Sequence, residues 1–217
     1  MTAQIPASSV DAIDAALAAA TPALDEGARR LTAAVVRLLA AGEPVSVPAA
    51  AAGAGMPASR AGQLLRSWPG VFWDDRGQVT GFWGLALAPM PHRIRRAGTG
   101  LHAWCAWDPL FLAQVIGDLQ VATADPVSGE AINYHLADNG AIPAASHPHT
   151  VLSFLSPGRP WDDEVMTTFC HYVWHFTGPA TAQRWIAAHP GTFVLSLDPA
   201  TELARRHAAR SFGVTPA

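Results

Sequence analysis

Residues 101–109 read Leu101-His102-Ala103-Trp104-Cys105-Ala106-Trp107-Asp108-Pro109 and lead into the apolar segment Leu110-Phe111-Leu112. A strand is predicted over 101–106 and a helix over 109–117. Asp before Pro is a good N-cap, with proline at the first helical position. The restriction on a residue preceding proline keeps Asp108 out of helical geometry. Cys105 and Asp108 are therefore expected on a strand-to-helix turn rather than on one helical face.

From residue 97 onward the chain continues to alternate. Strands are predicted at 119–124, 130–136, 150–155, 170–176 and 192–197, and helices at 161–168, 179–189 and 199–210. The turn sequences Asp125-Pro126-Val127-Ser128-Gly129 and Asp138-Asn139-Gly140 point to antiparallel hairpins. The pattern is α+β, with a mixed or antiparallel sheet and flanking helices. There is no glycine-rich phosphate loop, no dinucleotide fingerprint and no internal repeat.

Upstream, a loose alanine-rich helix is expected over 11–20 and a better one over 25–41, where Leu31, Val35, Leu38 and Leu39 recur at helical spacing. Ser46 can cap a helix over 47–52, and Pro57 opens a third carrying Leu64 and Leu65. Val71-Phe72-Trp73 and Val79-Thr80-Gly81-Phe82-Trp83 flank the turn 74–78 as a hairpin. Three helices and a hairpin are the order of a winged helix, so residues 1–88 are read as a winged-helix-like domain and 89–217 as the larger α+β domain. As a DNA reader the third helix offers Arg60, Gln63 and Arg66, but Asp74 and Asp75 on the wing would repel phosphate. Packing against the second domain is the preferred reading. The basic run His92-Arg93-Ile94-Arg95-Arg96 is read as an exposed strand face.

The totals favour a compact folded chain: 217 residues, half hydrophobic, 14% charged, net charge −3, every basic residue an arginine. Two cysteines make no disulfide framework. No apolar run is long enough for a membrane span, and Met1 to Val10 lack a signal-peptide pattern. A cytoplasmic protein with free thiols is the expectation.

The reactive groups are Cys105, Asp108 and Cys170, the last within Thr168-Phe169-Cys170-His171-Tyr172-Val173-Trp174. Taken alone, Asp108 reads as a helix cap and Cys105 as a small buried hydrophobe. Together, a helix N-terminus near Cys105 would favour its thiolate. If 170–176 is extended, Cys170, Tyr172 and Trp174 share one face and His171 and His175 the other, which weakens a zinc site. His147 and His149 match no zinc spacing, and the histidines are read as scattered over the surface. A thiol–disulfide enzyme would be expected to carry C-x-x-C, which is absent.

The segment His102-Ala103-Trp104-Cys105-Ala106-Trp107-Asp108 resembles the Tyr-Ala-Trp-Cys-Ala-Leu-Asp motif of the alkylmercury (organomercurial) lyases, often called MerB. Phe169-Cys170, 65 residues after Cys105, resembles that family's second cysteine site. Gly42-Glu43-Pro44-Val45-Ser46, the hairpin around Gly77 and Thr181-Ala182-Gln183-Arg184-Trp185 extend the likeness over roughly 25 to 212. His102 stands where the family usually has tyrosine and Trp107 where it often has leucine. The extra cysteines of many members are absent, with His171 at one of their positions.

The resemblance implies that Cys105 and Cys170 bind mercury and that Asp108 is the catalytic acid. It implies cleavage of the carbon–mercury bond of R–Hg⁺ by protonolysis, giving R–H and Hg²⁺. Thiolate is the soft ligand a soft metal requires, and a carboxyl in reach can move a proton from sulfur to carbon. No organic cofactor is implied. External low-molecular-weight thiols and a mercuric reductase would take the ion away, with no nucleic-acid or membrane partner. Trp104, Trp107, Phe169 and Trp174 could line the pocket for R. The alternatives are a winged-helix regulator sensing metal or oxidant through Cys105 and Cys170, and a divergent, inactive lyase homologue.

Overall fold

The structure, a computed structural model, describes residues 7–137, 141–142 and 145–214; the expected turn Asp138-Asn139-Gly140 lies outside the described residues. Four helices come first: α1 (Ala7–Ala20), α2 (Glu26–Leu39), α3 (Val47–Ala54) and α4 (Ala58–Ser67). In α2, Asp25 caps the N-terminus by accepting from the Ala28 N–H at 2.7 Å. Leu31, Val35, Val36 and Leu39 are buried, each contributing about 2 kcal/mol relative to exposure. Leu38, expected on that stripe, is instead 37% exposed. Ser46 caps α3 through the Ala49 N–H, but the helix runs on through Gly53 and ends at Gly55 in the left-handed conformation.

The strands β1 (Val71–Trp73), β2 (Val79–Phe82), β3 (Leu85–Ala86), β4 (His92–Arg96), β5 (Thr99–Ala103), β6 (Leu119–Ala124) and β7 (Ala131–Leu136) form one antiparallel sheet in the order β1-β2-β3-β5-β4-β6-β7. The short β3, absent from the sequence reading, joins the first hairpin to the rest. The expected boundary at 88/89 falls between β3 and β4, both of which pair with β5. The basic run is a strand with its arginines outward as expected, Arg93 and Arg95 being exposed, but it lies inside the sheet between β5 and β6 and buries His92 and Ile94 on its other face. On α4, Arg60 pairs with Asp25 at 2.7 Å and the Arg66 guanidinium lies 5.9 Å from the Trp73 ring centre, so two of the three candidate base-readers are engaged within the protein.

Between β5 and β6 runs α5 (Asp108–Ile116). A second antiparallel sheet, β10-β8-β9, is built from β8 (Val151–Phe154), β9 (His175–Phe176) and β10 (Phe193–Ser196), with α6 (Val165–Thr168), α7 (Pro179–Ala188) and α8 (Leu197–Phe212) around it. One apolar core joins α1, α2, α5 and α8 to both sheets. Among the described residues no helix is long and apolar enough to cross a membrane.

Two expected elements are corrected. The helix over 161–168 shrinks to α6, because Asp162 spends its carboxylate on a turn, accepting from the Glu164 N–H at 3.0 Å. The strand over 170–176 is a 3₁₀ turn at Cys170–Tyr172, with only His175–Phe176 pairing to β8. The Tyr172 N–H donates back to the Phe169 carbonyl at 3.0 Å and the Val173 N–H to the Cys170 carbonyl at 3.1 Å, local bonds that use the donors a sheet ladder would need.

Candidate active site

Cys105 lies in the turn between β5 and α5. That turn is held from three directions: the Trp104 N–H donates to the Gly84 carbonyl at 3.1 Å, the Ala106 N–H to the Val173 carbonyl at 3.0 Å, and the Cys105 N–H to Asp108 Oδ2 at 2.6 Å. Asp108 is therefore not the N-cap. It is the first residue of α5, and Trp107 occupies the cap position. Pro109 has no N–H to be capped, and the Leu110 N–H already donates to the Trp107 carbonyl at 3.1 Å. The carboxylate is left to turn back over the cysteine loop.

Cys170, delivered by the 3₁₀ turn, completes the group. One ligand atom from each of Cys105, Asp108 and Cys170 lies within 4.8 Å of the other two, and all three residues are buried. No other set of three such side chains gathers in this way among the described residues. The cysteines are not joined in a disulfide. His147 and His149 take no part in the group.

Electrostatics depart from the sequence expectation at Cys105. A helix N-terminus is worth about 0.3–1 kcal/mol to a nearby anion. Full burial can raise a thiol's pKa by up to ~3–5 units, and burial wins here. It pushes the Cys105 thiol well above its ordinary value, with the hydrogen bond to Cys170 and the charge of Asp108 adding to the rise. For Cys170 the Cys105 hydrogen bond pulls down, but burial and the Asp108 charge together leave it raised. Both anions are disfavoured, Cys105 more strongly than Cys170. Burial raises Asp108 to about 7, against the opposing hydrogen bonds from Cys105.

A narrow apolar cavity of about 40 Å³ opens onto this group. Asp108 and Cys170 are in its wall and Cys105 is not. Trp104, Trp107 and Phe169, the aromatics expected there, line it. Trp174 does not; it packs against His92 and Trp185. The other walls come from residues the sequence reading did not single out, among them Gly70, Trp83, Phe111, Trp161 and His207. No local signal marks them, since these five lie on five separate segments. His102 is turned away and hydrogen-bonds the Met90 backbone at 3.1 Å. Three histidines are buried instead of scattered over the surface: His92 bonds Thr123 and His175 bonds Tyr134, each at 2.8 Å, and His207 faces the cavity. Burial lowers His92 and His207 to about 3 and holds His175 well below its ordinary value.

Gly84 is the floor under Asp108. Its φ is +94°, and a Cβ placed there would lie 2.8 Å from Phe111 Cζ and 2.9 Å from Asp108 Cγ. Gly84→Ala is expected to combine left-handed strain with overpacking, costing about 2–5 kcal/mol. It should also displace the carboxylate. Thermal unfolding checks the first effect; an unchanged melting temperature would show that the cradle yields freely.

Comparison with known proteins gives a consistent result. Residues 85–209 match the family model described as alkylmercury lyase (MerB). The alkylmercury lyase of Staphylococcus epidermidis is 36% identical over 177 residues, covering 81% of this chain and 80% of that one. That of Pseudomonas putida is 32% identical over 158 residues, covering 72% and 73%, and that of Streptomyces lividans 28% over 172, covering 79% and 78%. Among solved structures, the mercury-bound form of MerB2 superposes with a TM-score of 0.70 at 18% identity, covering 92% of this chain and 96% of that one, which establishes the shared fold.

Proposed function

The chain belongs to the alkylmercury lyase family, and from that premise we propose that it cleaves the carbon–mercury bond of an organomercurial by protonolysis. The observation that carries the reading is the gathering of two sulfurs and one carboxylate within 4.8 Å at the end of an apolar cavity. Two soft ligands and a proton carrier are the groups this reaction needs.

The steps follow from who faces the cavity. The substrate arrives as R–Hg–SR′ on a small thiol. Cys170, in the cavity wall, exchanges with that thiol; its proton leaves with R′S⁻ as R′SH, and Cys170 Sγ–Hg–R remains. One thiolate on R–Hg⁺ gives a stable two-coordinate complex. Cys105 then adds to mercury from behind while Asp108 takes its proton. The second thiolate raises the electron density on mercury and weakens the Hg–C bond. Asp108 returns the proton to carbon, R–H departs, and Hg²⁺ stays on both sulfurs beside a regenerated carboxylate. A carboxyl held near 7 by burial accepts and releases that proton at similar cost near neutral pH. The aromatic walls exclude water and receive R.

No organic cofactor enters these steps. External thiols deliver the substrate and remove Hg²⁺, and a mercuric reductase is the downstream partner the chemistry suits. The two unpaired cysteines support a reducing, cytoplasmic setting.

The test is direct. Purified protein is mixed with phenylmercuric acetate or methylmercury chloride and excess cysteine, and benzene or methane is measured in the headspace. Stoichiometric hydrocarbon release, with Hg²⁺ left on the protein when thiol is limiting, is the expected result. Tight capture of the organomercurial with no hydrocarbon would sink the proposal.

A further inference from the structure

Beyond the 3₁₀ turn that carries Cys170, Val173 and Trp174 belong to no helix or strand. Their backbone groups still need partners in a dry interior. Ser153 on β8 supplies them. Its N–H donates to the Trp174 carbonyl at 3.0 Å. Its hydroxyl donates to the Tyr172 carbonyl at 2.6 Å and accepts from the Trp174 N–H at 3.0 Å. Ser153 itself is 0% exposed, so its hydroxyl is committed to these two bonds.

Ser153 thus grips the chain on both sides of Val173. Val173 in turn holds both cysteine segments: its carbonyl accepts from the Ala106 N–H at 3.0 Å, and its N–H donates to the Cys170 carbonyl at 3.1 Å. The path from one sulfur to the other runs Cys105, Ala106, Val173, Cys170, and its middle is pinned to β8 by one serine, through its backbone N–H and, on both sides of Val173, through its hydroxyl. Taking the lyase reading of the site as its basis, we propose that Ser153 is a positioning residue: its hydroxyl fixes residues 172–174 and thereby sets the spacing at which the Cys105 and Cys170 sulfurs grip mercury together. Ser153 touches neither sulfur nor the cavity. Its effect falls on the step that needs both sulfurs and not on capture by Cys170 alone.

Alanine at 153 would leave the Tyr172 carbonyl and the Trp174 N–H unpaired, and the segment would shift to find partners. Misplacement of about 1 Å in a reacting set costs up to ~10²-fold. Ser153→Ala is therefore expected to lower kcat for phenylmercury by about 10- to 100-fold. KM should stay within about twofold of wild type, the sign of an interaction acting after binding. One-to-one capture of phenylmercury, read by intact-protein mass, should persist.

Ser153→Thr and Ser153→Val control for folding. They share the same added volume and differ only in the hydroxyl, so the threonine protein should keep kcat and the valine protein should lose it. A second readout needs no turnover. HgCl₂ bound by two sulfurs absorbs in the ultraviolet by charge transfer and resists removal by a monothiol; retention should drop about tenfold or more in Ala and Val but not in Thr.

Equal kcat and equal Hg²⁺ retention in the valine and threonine proteins would overturn the proposal. So would a valine protein whose folded fraction turns over at the wild-type rate. If wild type captures phenylmercury yet releases no benzene, the lyase reading fails instead. The Hg²⁺ comparison then still decides whether Ser153 sets the sulfur spacing.

Discussion

Cys170→Ala should abolish both capture and release, whereas Cys105→Ala should capture the organomercurial and hold it. The asymmetry follows from placement: Cys170 is in the cavity wall and Cys105 lies behind it. With Cys170 gone, the incoming mercury meets only a thiol whose ionisation burial opposes strongly. With Cys105 gone, the Cys170–Hg–R complex forms and stops, because one thiolate leaves the Hg–C bond strong. Each change is expected to lower hydrocarbon release by at least ~10³-fold, as when one member of a concerted set is removed. Mass spectrometry should show an R–Hg adduct on Cys105→Ala and none on Cys170→Ala. Each variant loses a small buried side chain, at a cost of about 1 kcal/mol, so both should remain folded. Wild-type release by Cys170→Ala would end the two-thiolate mechanism.

Asp108→Asn should slow release by about 10²- to 10⁴-fold while making the protein more stable above neutral pH. Asparagine can still accept the Cys105 N–H bond, so the loop keeps its anchor, but it cannot carry the proton. The stability gain comes from removing a buried charge. The folded-state pKa is about 7 and the ordinary value is 3.8. Between the two, the folded protein holds a proton that the unfolded chain has released. Wild-type stability contributed by this group is therefore present at low pH and lost as pH rises, reaching a cost on the order of 4 kcal/mol near pH 8. The melting temperatures of wild type and Asp108→Asn should converge toward pH 4 and separate toward pH 8, with the variant higher. A variant less stable than wild type at pH 8 would show that Asp108 is held neutral or paired in some other way. The same titration sets the activity profile: the acidic limb of kcat/KM should fall near pH 7 and not near pH 4, because Asp108 must be unprotonated to accept the Cys105 proton.

Much of this site was legible in the sequence because its first half is local. Proline near the head of a helix, just beyond the aspartate three residues after Cys105, makes the strand-to-helix turn legible locally, although the restriction before proline did not keep Asp108 out of helical geometry, since it is the first residue of α5. The period of α2 and the glycines after its neighbours are equally local, and the fold follows them with small shifts at the ends. Errors arose where burial on two sides overrode the pattern. Leu38 fits the α2 stripe by spacing yet faces out, since Val36 is the side chain that the neighbouring elements cover. The segment 170–176 has strand composition, but the Tyr172 and Val173 N–H groups donate back to the Phe169 and Cys170 carbonyls, and it turns instead. Asp108 looked like a cap and became a buried acid because the helix end had already found its partner in Trp107.

By itself the sequence pointed to the α+β class and to a turn between Cys105 and Asp108, which rest on periodicity and turn residues that act over a few positions. Cys105, Asp108 and Cys170 were singled out by the resemblance to the alkylmercury lyases. Only the tertiary structure decided that Cys170 meets them, that Asp108 sits near neutrality, and that Gly84 and Ser153 support the group. Desolvation and contact across more than sixty residues of chain depend on what surrounds a side chain in space, and no local spacing encodes that.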